Sequence, residues 1–282
     1  MALVSAKKLL QKAQKEKYAV GAFNVENMEM IQAVISAAQE LKAPVILQTT
    51  PSTLKYATPE LFFANVDVLA KHSEIPVAIH LDHGDSYEIT MRAFRAGYTS
   101  VMIDGSKYCL EENINLTKKV VELCRPSEVS VEAELGCIGG KEDSLVAENV
   151  YTRPEDAAYF VRETQIDALA VAIGTAHGVY KSEPKIDINR LKDIHSAVEI
   201  PLVLHGTSGV PDEIVRQCIE KGICKVNYAT DLRIAFTKGV LSVLQKDNSV
   251  YDPKKYIAEA RKKVKDYVQK KMIVCGCAGK AI

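Results

Sequence analysis

Eight short runs of apolar and β-branched residues recur along the 282-residue chain, separated by segments with helical periodicity. The runs are Tyr18–Phe23, Pro44–Thr49, Pro76–Asp82, Ser100–Asp104, Val129–Leu135, Ala168–Gly174, Pro201–His205 and Cys224–Tyr228. Several are continuously apolar rather than alternating, which is the pattern of strands covered by helices on both faces. Between them, apolar residues fall three and four apart, as in Met30-Ile31…Val34-Ile35…Ala38 and Leu116…Val120-Val121…Cys124. Thr58-Pro59-Glu60, Thr152-Arg153-Pro154-Glu155 and Gly209-Val210-Pro211-Asp212-Glu213 read as helix starts with Pro near the first turn. Eight strands alternating with helices predict a single (β/α)8 TIM barrel over residues 1–282. A dinucleotide-binding sheet would want a G-x-G-x-x-G turn after its first strand, and Ala22-Phe23-Asn24-Val25 is not one.

Charge excludes some partners. Lys+Arg and Asp+Glu both number 36, so no net field draws the chain to nucleic acid or to an acidic membrane. The basic cluster Arg261-Lys262-Lys263-Val264-Lys265 has apolar residues at helical spacing and reads as a solvated helix face. No apolar stretch reaches the ~20 residues a bilayer span needs. The start, Met1-Ala2-Leu3-Val4-Ser5-Ala6-Lys7-Lys8, lacks the layout of a secretory signal. Seven scattered cysteines suit reduced thiols in a cytoplasmic protein, and Cys275-Gly276-Cys277 reads as a structural tail.

Three of the six histidines stand where an apolar run meets glycine: Asp82-His83-Gly84, Ala176-His177-Gly178 and Leu204-His205-Gly206. In a (β/α)8 barrel the C-terminal strand ends carry function, and these three fall at the third, sixth and seventh strands. Three imidazoles leave a metal ion with open positions, the arrangement of a catalytic site. Asp82 is a carboxylate within reach of whatever the metal binds. His80 lies inside its strand and reads as a core residue, while His72 and His195 read as surface residues of helical segments.

Acids mark the next two strands. Asp104 ends the fourth, and Glu132 and Glu134 lie inside the fifth, where burial is costly without a partner. For Glu132, a second metal position and a structural salt bridge are both open readings. The polar stretch Gly139-Gly140-Lys141-Glu142-Asp143-Ser144 reads as a lid loop able to carry a proton-transfer group. After the seventh and eighth strands, His205-Gly206-Thr207-Ser208-Gly209 and Asn227-Tyr228-Ala229-Thr230 offer backbone amides to a phosphate. Metal, carboxylate and phosphate cradle together point to polarisation of a ketone next to a phosphorylated carbon, with proton transfer at a carbon–carbon bond. No lysine closes the sixth strand, where an imine-forming barrel enzyme would commonly keep one; Lys181 falls past the glycine turn.

With these residues in view, the sequence resembles the class II zinc-dependent ketose-bisphosphate aldolases over nearly its whole length. The matching stretches are Tyr18–Asn24, His80-Leu81-Asp82-His83, Ser100–Asp104, Ser130–Gly136 and Gly174-Thr175-Ala176-His177-Gly178. The resemblance implies zinc on His83, His177 and His205, a further metal position at Asp104 and Glu134, Asp82 as acid/base on the C4 hydroxyl, and Glu142 as a mobile proton shuttle. It implies a sugar bisphosphate as substrate, with one phosphate on Gly178, Gly206, Thr207, Ser208, Asn227, Tyr228, Ala229 and Thr230 beside a monovalent cation (Na+ or K+). Asn24 and Thr50 would face the aldehyde half; for Arg233, reach to the distal phosphate across a dimer contact and an ordinary surface arginine are both open readings. A homodimer or homotetramer, and an accessory subunit, are implied as partners. The Ile166–Gly178 stretch, Cys224-Lys225-Val226-Asn227 and the cysteine tail look most like the tagatose-1,6-bisphosphate members, with the fructose type as alternative and an aldolase for another phosphorylated keto sugar behind it. Ala229 cannot bond a substrate hydroxyl, whereas fructose-type members tend to carry Asp or Asn there. Gly21, Lys107, Thr207 and Tyr228 depart from the usual Pro, His, small residue and Val. A metal-dependent hydrolase and a catalytically silent supporting chain are the competing classes; the phosphate loop disfavours the first, and Asp82 with all three histidines disfavours the second.

Overall fold

The computed structural model describes residues 3–142, 145–147, 150–180 and 184–281, with side chains described for all of these except residues 139–147. Eight parallel strands close into one barrel: β1 (Val20–Asn24), β2 (Val45–Thr49), β3 (Val77–Gly84), β4 (Ser100–Ile103), β5 (Ser130–Leu135), β6 (Ala168–Val171), β7 (Leu202–Leu204) and β8 (Ile223–Tyr228). Each pairs with its neighbours in sequence, and β8 closes on β1 with Val20 opposite Lys225 and Phe23 opposite Tyr228. Every residue of these strands is buried, which is why their sequences are so continuously apolar. The fold is the predicted (β/α)8 barrel.

The helix starts follow the local chemistry. Pro59 and Pro154 open the helices Pro59–Lys71 and Pro154–Thr164 at the first turn, where a missing N–H costs nothing. Pro211 caps Asp212–Glu220 from one residue outside. The first helix, Ala6–Glu16, lies across the N-terminal end of the barrel and buries Ala6, Leu9, Leu10 and Ala13. Val4 N–H donates to Val77 O at the start of β3, and Lys7 pairs with Asp167 before β6 at 2.8 Å. At the other end of the chain, Pro253–Val274 buries Ala260, Val264, Val268 and Met272 while Arg261, Lys262 and Lys263 face solvent. The basic cluster is a solvated helix face, as its spacing predicted. Among the described residues no helix is long and apolar enough to cross a membrane.

Two segments differ from expectation. β6 ends at Val171, three residues before Gly174. There Thr152 N–H takes the Ala172 carbonyl and Asp187 N–H takes that of Ile173, and Gly174 turns with φ +108°, so the chain leaves the barrel wall. It then forms a two-residue strand, Ala176–His177, in a small separate sheet with Gly139–Glu142 and Leu145–Ala147. The stretch expected as an irregular lid loop is thus partly strand, with Lys141 opposite Val146 and Glu142 opposite Leu145. The β-prone Leu145-Val146-Ala147 supplies the partner that a purely polar loop lacks. His195 is half-buried rather than a free surface residue, because Gly222 packs against its ring. All seven cysteines are free thiols, and Cys275 and Cys277 are buried under the barrel wall.

Candidate active site

Strand periodicity alone would send Asp82 and His83 to opposite faces of β3. Both reach the C-terminal mouth because His83 takes a left-handed backbone, φ +47°. The register between β3 and β4 also shifts between Leu81 and Gly84. A left-handed non-glycine residue costs about 1–3 kcal/mol, the kind of strain that gathers at functional sites. The His83 N–H is anchored on Met102 Sδ (3.4 Å), and Gly84 O accepts from Asp104 N–H (2.9 Å).

Asp82 is held through both carboxylate oxygens. Its Oδ2 accepts from Asn24 Nδ2 at 2.8 Å and its Oδ1 from Asn227 Nδ2 at 3.1 Å. Gln48 Nε2 in turn donates to Asn24 Oδ1 at 2.7 Å, so an amide relay from β2 through β1 fixes the acid on β3. Asp82 is 2 % exposed and faces an open cleft.

Beside it the three histidines converge. The ring centroids of His83 lie 4.9 Å from His177 and 4.7 Å from His205. One ligand nitrogen from each falls within 4.8 Å of the others. His205 Nδ1 is 2.9 Å from His83 Nε2. Burial holds the pKa of His177 and of His205 well below the ordinary imidazole value, reinforced by the neighbouring His83. Burial also opposes protonation of His83, but Asp82 and the hydrogen-bonded Asp104 outweigh it and raise its pKa well above the ordinary value.

His83 belongs to a second group with Asp104 and Glu134, whose ligand atoms also lie within 4.8 Å of one another. Asp104 Oδ2 contacts His83 Nδ1 at 2.9 Å, and Glu134 Oε2 is 3.9 Å from the same nitrogen. Burial disfavours the charged form of Asp104, yet the His83 hydrogen bond and charge hold its pKa well below the carboxylate range. Burial and the negative Asp104 push Glu134 the other way, well above it. Glu134 Oε2 is buried with no hydrogen-bond partner.

These observations fit a divalent cation. Two imidazoles are held in the neutral form that binds metal, three carboxylates stand nearby, and one buried carboxylate oxygen lacks a partner. Three histidine donors with space in front of them match a catalytic site.

The other side of the cleft is built from loops after β7 and β8 and from Gly178. Gly206 is required by close approach: a Cβ there would sit 2.8 Å from the Ala176 backbone, at φ +62°. Tyr180 ties these segments together, accepting from Ala176 N–H (2.7 Å) and donating to Gly206 O (2.8 Å). Thr207 directs its hydroxyl back to Leu204 O at 3.2 Å. Ser208 Oγ accepts from Ala229 N–H (3.3 Å) and Asp231 N–H (3.4 Å) at the start of the helix Thr230–Leu244. Thr230 lines the same cleft.

The remaining predicted residues fall elsewhere. Tyr228 requires correction: β8 alternates, so with Asn227 inward the Tyr228 ring turns outward. It stacks on Phe23 at 5.6 Å and meets Tyr267 edge-on at 6.2 Å, away from the cleft. Thr50 caps the helix Pro51–Tyr56 rather than lining the cleft. Arg233 stands on the β1–β2 side with its guanidinium on Glu26, Nη2 at 2.6 Å and Nε at 2.7 Å from Oε1. Thr53 donates to the other Glu26 oxygen at 2.6 Å. The Glu142 side chain lies outside the described residues.

For Glu132 the open question closes on the ion pair: Lys225 Nζ lies 2.9 Å from its Oε2, both side chains buried inside the barrel. Lys225 escaped the sequence reading. Its signal was a single cation in the apolar run Ile223–Tyr228, at the same parity as Asn227.

Comparison with known proteins places the chain in a family. The family described as Fructose-bisphosphate aldolase class-II matches residues 4–280. The YdjI aldolase from Escherichia coli K12 is 35% identical, with 99% of this chain and 100% of that one covered and a TM-score of 0.89. A putative fructose-1,6-biphosphate aldolase from Coccidioides immitis is 34% identical over 98% and 97% of the two chains, with a TM-score of 0.90. The fructose-bisphosphate aldolase of Campylobacter jejuni shares the fold at 24% identity, with 99% and 97% covered and a TM-score of 0.86. The chain belongs to the class II fructose-bisphosphate aldolase family.

Proposed function

We propose that the chain is a zinc-dependent aldolase that reversibly cleaves a ketose 1,6-bisphosphate to dihydroxyacetone phosphate and glyceraldehyde 3-phosphate. Tagatose 1,6-bisphosphate is the favoured substrate and fructose 1,6-bisphosphate the alternative. The observation that carries this reading is Asp82, gripped by Asn24 and Asn227 beside three converging histidines.

Bound by His83, His177 and His205, zinc supplies Lewis-acid polarisation of the ketone and stabilises negative charge developing on it. Asp82 takes the proton of the C4 hydroxyl as the C3–C4 bond breaks, and C4 becomes the aldehyde carbon. The electron pair of that bond passes to the ketone half as an enediolate, and a proton delivered to C3 completes dihydroxyacetone phosphate. The family resemblance assigns that delivery to Glu142. In the condensation direction Asp82 returns its proton to the new C4 hydroxyl. Asn24 and Asn227 hold both Asp82 oxygens, so the carboxylate meets the hydroxyl in one orientation. Asn227 Oδ1, buried without a partner, is available to a substrate hydroxyl.

The ketone-side phosphate is assigned to the amides around Gly178, Gly206, Thr207, Ser208, Ala229 and Thr230, with a monovalent cation beside it. The positive end of the helix Thr230–Leu244 favours an anion there. Asp104 and Glu134 offer a second position for a cation. Ala229, with no hydrogen-bonding side chain, supports the tagatose assignment. Arg233 is assigned to the distal phosphate, which it reaches by leaving Glu26. A cytoplasmic homodimer or homotetramer, with or without an accessory subunit, completes the reading.

The test is kcat/KM on purified fructose and tagatose bisphosphates, with products identified. Triose phosphates from both, with tagatose ahead, are expected. Released inorganic phosphate would point to a hydrolase, and a fructose preference would overturn the tagatose assignment.

A further inference from the structure

β5 sends two acids into the barrel, two residues apart on the same face, and they meet opposite fates. Glu134 keeps a bare oxygen, whereas both Glu132 oxygens are engaged. Glu132 Oε1 lies 2.8 Å from His205 Nε2. Its Oε2 lies 2.9 Å from Lys225 Nζ and 3.7 Å from His80 Nε2, and His80 Nδ1 is fixed on Ser100 Oγ at 2.7 Å. Lys225, His80 and His205 are 0% exposed and Glu132 2%. The Lys225 contact has ion-pair distance without hydrogen-bond direction, and the ammonium makes no hydrogen bond to any other described residue. Its positive charge is therefore dedicated to Glu132.

A carboxylate offers only lone pairs, so the imidazole nitrogen facing it must carry the hydrogen. That places the His205 proton on Nε2 and leaves Nδ1 with the lone pair. Nδ1 is the atom 2.9 Å from His83 Nε2, on the side where the three histidines converge. We infer that Glu132 is the positioning residue of His205, fixing its tautomer and ring plane so that Nδ1 is the metal-binding atom, and that Lys225 holds Glu132 in place for this task. The ion pair is part of the metal site's support and not a generic core salt bridge. The inference rests on the three histidines holding a metal.

Removing one partner alone would strand a buried charge, so the informative variant removes both. In E132L/K225M, metal-free thermal unfolding stays near that of the native protein, while the cobalt(II) dissociation constant rises about 10- to 100-fold. The visible absorption of bound cobalt(II) shifts as well, because the ring is no longer held. A dissociation constant within twofold of native in a folded double variant would overturn the proposal. A second measurement needs no variant: nitrogen-15 NMR of the native zinc-loaded protein reads the His205 tautomer. A hydrogen on Nε2 is expected, and one on Nδ1 overturns the proposal even if the double variant fails to fold. Failure of the underlying metal reading looks different, since native protein would then bind no cobalt(II) at these histidines.

Discussion

The two walls of the barrel mouth are built by different means. On the histidine side, strand ends of β3, β5, β7 and β8 present Asp82, His83, Glu134, His205 and Asn227, nearly all buried and locked to one another. On the opposite side, outside the cleft, Glu26, Thr50, Thr53 and Arg233 sit on loops and first helical turns. There Arg233 and Glu26 neutralise each other while 38% and 28% exposed. The first wall has an excess of carboxylates that asks for a cation; the second is balanced and partly wet. In the proposed function bond breaking belongs to the rigid wall, and recognition of the substrate's far end belongs to Arg233 on the adaptable one.

That division can be broken by kinetics. The largest expected effect is at Asp82: D82N lowers kcat about 10²–10⁴-fold, the range for a lost general acid/base, with bound metal unchanged. Metal loss in D82N would mean that the acid holds the site together instead of moving a proton. Next is H205A, which removes one proposed metal donor; metal content after dialysis falls with activity, and full retention of metal would take His205 out of the donor set. Arg233 comes third. R233A raises KM for a bisphosphate about tenfold, the worth of one charge-assisted hydrogen bond in a half-wet site, and leaves kcat within a few-fold. A kcat loss as deep as that of D82N would erase the distinction between the walls. The smallest effect is at Thr50, where T50A removes a helix cap and lowers stability by about 1 kcal/mol in denaturant unfolding, with kinetics unchanged.

The barrel was legible because its strands are buried on both faces and write themselves as unbroken apolar runs. His83 and His205 were legible because each stands between such a run and a glycine. His177 was legible for the same reason, yet its location was not: β6 stops at Val171, and only tertiary hydrogen bonds at Ala172 and Ile173 reveal that His177 lies on a separate strand. The left-handed turn at His83 also leaves no mark in the sequence. Tyr228 is the opposite case. Period-two alternation from Asn227 already points it outward, and the resemblance to a binding motif overrode that simpler rule. The Glu132–Lys225 pair needs the barrel to be closed, since strands distant in sequence meet only across its interior.

The central claim is carbon–carbon cleavage by Asp82 beside a histidine-held metal, without an imine. It is tested most directly by assaying triose phosphate release from tagatose and fructose bisphosphates by the native protein, then after chelation, after zinc is restored, and after borohydride treatment with substrate. Activity lost on chelation, regained with zinc and untouched by borohydride is the predicted result. Cleavage that survives chelation and is abolished by borohydride, with a substrate adduct on Lys225, would contradict it.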